Sequence, residues 1–530
     1  MIDRPRSDAA GAGWGEPWVV HEDEHLLAVA KPAGITTHRA DAHTQDGMHE
    51  WVQRQRPDVS LSVLHRLDKA TSGVLVFGKT TAANRALTAQ LTERTVAKTY
   101  ELLTAPGRGP EGVVRVDRPI AGVAAVTELE RQASGPGAQR YQARPHTGRT
   151  HQVRIHAEAA GVPVVGDGEH GGPPGARLFL HAAAMGLTHP DGSALRLARR
   201  RPASFDRVLA GDPAPDSPAL HARVALEARA SLLDPADTDA HLWVDRHHDG
   251  LPRARVERLG EVALVLDYRD EAGPLPEGWL DALQQTLPRR GVYVQHRPRR
   301  GGGGPAVRVA GDAPPRFEVV ELGLRYLVDL GASATSSGLF LDQRETRREL
   351  LAADLAGRTV LNAFAHTGSL SVAAARAGAE TLTLDLSKRY LAWAEENLRL
   401  NGIDPADHDA IYGDALEWMG RLARKGRRFD VVLVDPPSSS TSKGSGRWSV
   451  ERDLGALVER AVALCAPGGT AYVSTNMHRL TWPRFLGHLD AGLAAAGRSA
   501  TVETRTLPLD HRSGPGDPPY LKAAWLHLDP

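Results

Sequence analysis

An apolar run interrupted by a single charge, Phe429–Val434, ends in Asp435-Pro436-Pro437 and constrains the fold of the last part of the chain most strongly. A strand without polar alternation is covered on both faces, as the strands of parallel sheets are. Similar runs at residues 359–361, 381–385 and 468–474 alternate with helix-like segments. The alternation predicts a Rossmann-like, doubly wound α/β domain over residues 315–530, with ligands beyond the carboxyl ends of its strands.

The rest of the 530-residue chain is long enough for further domains. Residues 16–210 mix short β-branched strands with helices and Gly/Pro loops, which predicts an α+β domain. Residues 211–218 have the composition of a linker. Residues 219–314 show helix and strand patterns and are interpreted as a small α/β accessory domain. We expect residues 1–15 to be a mobile leader and residues 299–304 to be a flexible basic loop.

The charge balance limits the kind of partner. The chain holds 64 Lys and Arg against 64 Asp and Glu, which argues against a uniformly basic surface. Basic residues cluster at 196–201 and 289–300, so RNA contacts would be local. Without an apolar signal core or a run long enough for a membrane span, we expect a cytoplasmic protein with no membrane partner. A single cysteine, Cys465, excludes an internal disulfide and a multi-cysteine metal site in the monomer.

One carboxylate stands between two cations in residues 64–73, which read Leu-His-Arg-Leu-Asp-Lys-Ala-Thr-Ser-Gly. Apolar residues precede Asp68, and a strand-like segment follows at residues 74–77. We therefore predict that a turn at residues 71–73 holds Asp68 at a strand edge, facing a cleft. The residues alone leave a second interpretation open, a surface aspartate paired with Arg66 or Lys69.

Residues 65–73 resemble the signature of the RluA-type pseudouridine synthases. Further segments match that family in order: residues 20–34, Lys98-Thr99-Tyr100, residues 147–156, Gly166-Asp167 and Leu180-His181-Ala182. The resemblance implies an α+β pseudouridine synthase fold in which Asp68, Tyr100 and Arg154 are catalytic. Asp68 would act covalently at C6 of the uracil ring or at C1′ of the ribose, and both routes stay open.

In this interpretation an arginine keeps Asp68 ionised, and the family position indicates Arg154. Arg66 and Arg149 would contact the RNA, and Tyr100 would pack on the flipped base and serve proton transfer. His146, His151 and His156 recur every five residues, but this spacing does not bring three side chains together. We therefore expect no metal, and the synthase family needs no cofactor.

The loop at residues 362–369 follows the first strand of the α/β domain, and Asp385 ends the second strand. This arrangement suits an adenosyl cofactor, although any Rossmann-like enzyme could share it. Gly413-Asp414-Ala415 and Asp435-Pro436-Pro437 resemble the motifs of class I S-adenosylmethionine (SAM) methyltransferases. The resemblance implies S-adenosyl-L-methionine as cofactor, bound by Asn362, Phe364, Thr367, Gly368, Asp385, Asp414 and Asp435, with RNA contacting Asn476.

The similarity is greatest to RlmK-type guanine-N7 methyltransferases of large-subunit ribosomal RNA, with RlmI-type cytosine-C5 enzymes more distant. It reaches from about residue 219 to residue 530. This chain departs from the family at His366, where a tyrosine is usual, and at residues 438–441, which lack an aromatic residue. Cytosine C5 requires a thiolate that adds at C6 first. Cys465 lies outside Asp435-Pro436-Pro437 and outside residues 474–476, the two segments that could reach a substrate base. We therefore favour guanine N7, whose lone pair needs only alignment with the methyl group.

These patterns together predict a bifunctional RNA-modifying enzyme whose RNA is 23S rRNA or a pre-ribosomal particle. The linked domains would raise the effective concentration of each site around RNA bound by the other. Three alternatives stay open: an RNA-binding assembly factor with one vestigial site, methylation of another base such as cytosine C5, and a small-molecule methyltransferase. The sequence does not specify an oligomeric state.

Overall fold

A computed structural model describes residues 16–41, 44–107, 109–271, 273–286, 291–298, 304–331, 336–442, 446–513 and 518–530. It divides into two compact units, Met1–Arg39 with Asp46–Ala313 and Ala40–Gln45 with Pro314–Pro530. The predicted leader and residues 299–303 of the predicted basic loop lie outside the described residues. The division into a synthase domain, an accessory domain and a methyltransferase domain stays a prediction.

A mixed sheet dominates the first part of the first unit. Its strands are β1 Val19–Glu22, β2 Leu26–Lys31, β3 Ser62–Val63, β4 Ser72–Gly78, β5 Ala97–Thr104, β6 Val113–Asp117, β7 Val126–Ser134, β8 Gln139–Pro145, β9 Leu180–Thr188 and β10 Ala194–Ala198. The helices are α1 Met48–Gln55, α2 Thr81–Glu93, α3 Gln152–Ala159 and α4 Ala203–Ala210. The strand order is β1-β2-β4-β9-β5-β8-β7-β6, with β3 on β4 and β10 on β9. The predicted α+β class is confirmed.

Strands β4 and β9 meet at the candidate Asp68 loop. They run parallel there, with Ser72 opposite His181 and Gly73 opposite Ala182. Ser72 and Gly73 are thus the first residues of β4, and the predicted turn at 71–73 is wrong by three residues. The turn spans Asp68 to Thr71 instead, because the Thr71 amide donates to the Asp68 carbonyl at 3.0 Å.

Gly73 is required by this close approach, and we expect Gly73→Ala to destabilise the first unit. Its φ is +130°, and an added Cβ would lie 2.2 Å from the Ala182 carbonyl oxygen. Strain and overlap together should cost about 3 kcal/mol or more. Calorimetry should show a lower melting temperature, whereas Gly273→Ala, where an added Cβ meets no atom within 4 Å, should leave it unchanged. Equal melting temperatures would contradict the described strand contact.

A smaller sheet follows within the same unit. Its elements are α5 Pro218–Ala230, β11 Ala240–Asp245, β12 Ala254–Leu259, β13 Val262–Asp267, α6 Trp279–Thr286, β14 Gly291–His296 and β15 Val307–Gly311, with strands in the order β11-β12-β13-β14-β15. Ser217 caps α5 and Pro218 begins it. One face of α5 packs on this sheet through Ala222 and Ala225, while Leu220 joins the core around Phe179 and Phe205. Helix α5 therefore packs against both sheets of the first unit.

The second unit contains the predicted doubly wound sheet. Its elements are β16 Arg316–Glu321, β17 Leu324–Asp329, α7 Arg344–Ala352, β18 Thr359–Ala363, α8 Ser369–Arg376, β19 Glu380–Asp385, α9 Lys388–Leu400, β20 Asp409–Tyr412, α10 Ala415–Arg424, β21 Phe429–Val434, β22 Ser439–Ser442, β23 Gly446–Ser449, α11 Val450–Leu464, β24 Cys465–Thr475, α12 Trp482–Ala495, β25 Ala500–Arg505 and β26 Lys522–Leu528. The sheet order is β20-β19-β18-β21-β24-β26-β25.

Strand order in this sheet reverses between β18 and β21, which are parallel neighbours. A crevice opens at such a reversal beyond the carboxyl ends of the strands. The loops after β18, β19 and β21 begin at this edge of the sheet. The sequence predicts that ligands bind at the carboxyl ends of these strands, and the observed topology agrees. In the described part of the chain, helices are either too short or too polar to span a membrane.

Candidate active sites

The Asp68 loop rests on the segment that follows β2. The Lys31 ammonium is 1% exposed and donates to the carbonyls of Pro32, Ile35 and Lys69 at 3.0, 2.8 and 3.3 Å. The Gly34 amide also donates to the Lys69 carbonyl at 2.7 Å. A buried cation offsets its desolvation only through such hydrogen bonds. The segment Lys31-Pro32-Ala33-Gly34 thus fixes the backbone beside Asp68.

Asp68 itself is half-buried, and its carboxylate makes no hydrogen bond with any of the described residues. Its negative charge acts on Tyr100, whose pKa is raised to about 12 by burial first and by Asp68 second. Tyr100 is therefore protonated near neutral pH and can donate a hydrogen bond. The charge of Asp68 thus acts on Tyr100, and the catalytic roles of both residues stay predictions.

Arg154 has different partners from those expected. Its guanidinium donates to both carboxylate oxygens of Asp167 at 2.7 and 2.6 Å, and to Glu169 at 2.9 Å. Arg154 and Asp167 are 7% and 1% exposed. The expected pairing of Arg154 with Asp68 is thus not a contact of this structure, because a buried carboxylate 13 residues away holds the arginine. A role of Arg154 at Asp68 stays a prediction.

Gln152 and His156, two other members of the motif at residues 147–156, form hydrogen bonds within the domain. The Gln152 amide donates to Thr127 and its oxygen accepts from Thr147, at 3.0 and 2.6 Å. His156 is buried and contacts Thr127, whereas His151 contacts His170 at 3.1 Å. The three histidines therefore do not converge, although His151, His170 and Glu169 have ligand atoms within 4.8 Å of one another.

Cations lie near the candidate synthase site. Arg66 is exposed at the loop itself. Arg149 lines a cleft of about 340 Å³ with Arg94 and Lys98. Burial lowers the pKa of Lys98. These groups offer positive charge to a polyanion, as expected for Arg66 and Arg149, whose RNA contacts stay a prediction.

In the second unit, the loop after β18 is tied to Asp385 at the end of β19. The carboxylate accepts from the amides of His366 and Ser387, both at 2.8 Å, and burial raises its pKa. Gly368 has φ +71°, and an added Cβ would lie 2.6 Å from the Ala394 Cβ. The loop therefore fits tightly against helix α9 and places its backbone beside the carboxylate.

A pocket of about 270 Å³ opens at this edge of the sheet. It is lined by four of the predicted cofactor residues and by the predicted RNA contact, namely Phe364, Asp385, Asp414, Asp435 and Asn476. The other three predicted residues support the loop. Asn362 donates to the Ser371 hydroxyl at 2.9 Å, the Thr367 hydroxyl donates to the Gly338 carbonyl at 2.5 Å, and Gly368 is the N-cap residue of α8. Cofactor contacts of all seven stay predictions.

Asp435 belongs to a buried polar network. Its carboxylate accepts from Ser474 at 2.6 Å and from Gln343 at 3.0 Å. Gln343 in turn accepts from the Tyr472 hydroxyl at 2.8 Å. Burial raises the pKa of Asp435 to about 6. The network fixes the orientation of the carboxylate at the mouth of the pocket.

Three aromatic side chains of the pocket, Phe340, Tyr390 and Trp448, are not among the predicted site residues. The His366 ring lies between Phe340 and Tyr390, at centroid distances of 4.7 and 4.2 Å. Burial lowers the pKa of His366 to about 4, so the ring is neutral. Trp448 lies opposite Ser440 in the hairpin of β22 and β23, with its ring 6.2 Å from that of Phe364. Trp448 thus supplies an aromatic wall although residues 438–441 contain none.

Cys465 lies at the opposite end of the sheet from the pocket. It begins β24 and pairs with Phe429, the first residue of β21, whereas Asp435 follows the last residue of β21. Six residues of strand separate these ends by about 20 Å. Cys465 is 1% exposed, and burial raises the pKa of its thiol to about 12. It is therefore neither close to the pocket nor reactive.

Comparison with known proteins finds a matching enzyme family for each half of the chain. Residues 282–502 match the profile of the S-adenosylmethionine-dependent methyltransferase family. A putative ribosomal RNA large subunit methyltransferase, YwbD of Bacillus subtilis, is 31% identical over 314 residues, 57% of this chain and 78% of the relative. The chain belongs to this methyltransferase family. Its methyl donor, S-adenosyl-L-methionine, is the predicted cofactor.

Residues 25–159 of the chain match the RNA pseudouridylate synthase profile. The predicted fusion of the two enzyme domains is thus confirmed. The ribosomal RNA large subunit methyltransferase K/L of Allochromatium vinosum is 38% identical over 250 residues, 47% of this chain. This chain spans 32% of that relative's length. A putative SAM-dependent methyltransferase structure from Streptococcus mutans, 22% identical with a TM-score of 0.50 over 64% of this chain and 87% of that one, shows the shared fold.

Proposed function

We propose that this protein is a bifunctional RNA-modifying enzyme of the cytoplasm. One site would convert uridine to pseudouridine, and the other would methylate a base of large-subunit ribosomal RNA at guanine N7. The observation that carries the proposal is that one chain holds both sets of residues, with Arg154 paired to Asp167. In the first unit the charge of Asp68 acts on Tyr100, and in the second unit Asp385 and Asp435 line one pocket. Relatives of the chain are named as a ribosomal RNA large subunit methyltransferase K/L and a putative ribosomal RNA large subunit methyltransferase.

In the synthase, the Asp68 carboxylate would attack the flipped uridine, at C6 of its ring or at C1′ of its ribose. On the C1′ route, the Asp68–C1′ bond replaces the C1′–N1 bond, the uracil turns, and its C5 then displaces the carboxylate as the C1′–C5 bond forms. On the C6 route, the C1′–N1 bond breaks in the adduct, the uracil turns, the C1′–C5 bond forms, and the Asp68–C6 bond then breaks to return the carboxylate. The proton on C5 must then leave, and N1 must gain one. Tyr100, protonated near neutral pH, lies within the field of Asp68 and would relay this proton. Arg154 would act through the loop around Asp167, which it fixes.

In the methyltransferase, Asp385 would accept from the ribose hydroxyls and Asp414 would face the adenine of S-adenosylmethionine. This cofactor supplies an electrophilic methyl group when bound. The aromatic rings of Phe364, His366 and Tyr390 would exclude water from the pocket. Guanine N7 has an in-plane lone pair and requires neither a base nor a nucleophile from the protein. Positioning by Asp435 and Asn476 would then be sufficient.

The location of Cys465 supports guanine over cytosine, and it leads to a test. We expect Cys465→Ser to keep full methyl transfer, because the thiol is buried about 20 Å from the pocket mouth. The measurement uses purified protein, radiolabelled S-adenosylmethionine and unmodified large-subunit rRNA, followed by nucleoside chromatography. We expect the label in 7-methylguanosine with either protein.

Label in 5-methylcytidine that disappears in Cys465→Ser would overturn the guanine assignment. The alternative of a vestigial methyltransferase site would require that the protein fails to bind S-adenosylmethionine in calorimetry. The presence of Asp385, Asp414 and Asp435 around one pocket favours binding.

A further inference from the structure

A second basic pocket lies in the first unit, between the synthase sheet and helix α5. We propose that it binds backbone phosphates of the RNA whose uridine occupies the Asp68 site. We call it the arginine pocket, and it has a volume of about 510 Å³. Its walls come from the segment after β2, the start of β4, the end of β10 and the last turn of α5. The side chains that matter here are Ser72, Arg177, Arg199, Arg200, Arg201 and Ala228.

The pocket has an excess of positive charge. Four arginines and Lys31 line it, against a single carboxylate, Glu227. Glu227 accepts from the Ser204 amide at 3.0 Å. Lys31 is committed to backbone carbonyls, and Arg201 is paired with Glu101 at 2.9 Å and with Asp206 at 2.5 Å. With Glu101 and Asp206 counted beside Glu227, five cations face three carboxylates, so the cavity keeps an excess of positive charge, which attracts polyanions.

Two of the arginines are available for an added anion. The Arg199 guanidinium has no hydrogen bond or ion pair within the described residues. Arg200 is 84% exposed. Its guanidinium lies 3.5 Å from the Asp206 carboxylate, which is a longer distance than in either ion pair of Arg201. The guanidinium group matches phosphate oxygens in pairs of hydrogen bonds. The two side chains can therefore each take a phosphate without breaking a buried pair.

The position of the pocket indicates which phosphates of the RNA it would bind. Its inner wall is Ser72, whose hydroxyl accepts from Arg177 at 2.6 Å and contacts His181 at 2.9 Å. Ser72 follows Asp68 by four residues, so their Cα atoms are at most about 14 Å apart. An RNA strand with its uridine at Asp68 carries its neighbouring phosphates within this distance. This inference therefore rests on the proposed synthase activity, and it adds a binding site to it.

The outer wall comes from α5, which follows the linker and precedes the small sheet. Ala228 and Ala230 line the pocket from this helix, and Ser231 lines it directly after the helix. The helix is held in place because Leu220 packs into the core beside Phe205, and Arg229 pairs with Asp249 at 2.7 Å. The segment that joins the two enzyme halves thus completes an RNA site of the synthase.

The test measures RNA binding by the full-length protein over a range of salt concentrations. The probe is a labelled RNA hairpin with one uridine-rich loop, followed by fluorescence anisotropy. We expect Arg199→Gln/Arg200→Gln to weaken binding roughly tenfold and to lower the salt slope by about 1.4, the value for two single-strand phosphates. The matched control is Arg85→Gln/Arg115→Gln, which removes two arginines outside this pocket and should leave the slope unchanged.

Ala228 gives a second pair of variants that tests the α5 wall. We expect Ala228→Glu to weaken RNA binding and Ala228→Lys to strengthen it, with opposite changes in the salt slope. An unchanged slope in the arginine variant, or equal effects of Glu and Lys at residue 228, would overturn the proposal. So would a wild-type protein that does not bind the hairpin.

Free phosphate is the other source of the same ligand chemistry. Inorganic phosphate is therefore titrated at constant ionic strength. Phosphate binding that disappears in the arginine variant, without any change in the RNA salt slope, would assign the pocket to free phosphate and overturn the RNA site. Because the assay measures binding alone, a protein that binds RNA here but forms no pseudouridine would contradict the proposed activity instead.

Discussion

Asp68→Asn should abolish pseudouridine formation while methyl transfer continues at the wild-type rate. The amide has nearly the same shape as the carboxylate but cannot form the covalent bond, so we expect a loss of roughly 10⁴-fold or more. Folding should be unaffected, because the half-buried carboxylate makes no hydrogen bond with the described residues. Release of tritium from C5-labelled uridine in RNA measures the first activity, and methyl incorporation measures the second.

The matched control for this variant is Asp58→Asn. Asp58 is exposed in the same unit and lies outside the candidate loop. The Asp58→Asn protein should retain both activities. If Asp68→Asn formed pseudouridine at a rate near that of the control, the carboxylate would have no covalent role and the proposed synthase mechanism would be wrong.

Asp385→Ala should weaken the binding of S-adenosylmethionine by roughly 10- to 100-fold, since a hydrogen bond to a charged group contributes about 1.5–3 kcal/mol. Two effects act in the same direction. The variant removes the acceptor for the ribose hydroxyls, and it frees the amides of His366 and Ser387 that hold the loop. Calorimetric titration measures the affinity, and pseudouridine formation should not change.

Asp409→Ala is the control, because Asp409 is exposed on β20, the strand next to β19. It should bind the cofactor as the wild type does. An Asp385→Ala protein with unchanged affinity would place the ribose elsewhere and remove Asp385 from the pocket's binding residues.

Much of the methyltransferase pocket can be predicted from sequence, because its position depends on the order of strands and helices along the chain. The alternation of apolar strands and helices predicts the parallel sheet, and parallel strands place the ends of β18, β19 and β21 at one edge. Asp385 and Asp435 reach the same pocket for that reason. Trp448 could not be predicted in this way. It reaches the pocket through the hairpin of β22 and β23, and no strand pattern in the sequence specifies the register of that hairpin.

The synthase site depends more on tertiary contacts. The motifs identify Asp68 and Tyr100, but they do not reveal that Lys31 is buried under the loop and holds its backbone. The partner of Arg154 could not be predicted either. Two carboxylates, Asp68 and Asp167, belong to family motifs, and only the packing of α3 determines that the arginine reaches Asp167. Long-range ion pairs of this kind have no periodic signal in sequence.

The most direct test of a two-site RNA enzyme is a nucleoside digest of ribosomal RNA from a strain that lacks this protein and from its parent. Pseudouridine and 7-methylguanosine are separated by chromatography and quantified. We expect both to fall in the deletion strain, each by one site per large-subunit RNA, and to return with the wild-type protein. Complementation with Asp68→Asn should restore 7-methylguanosine alone. Unchanged levels of both nucleosides in the deletion strain would contradict the assignment of ribosomal RNA as the substrate.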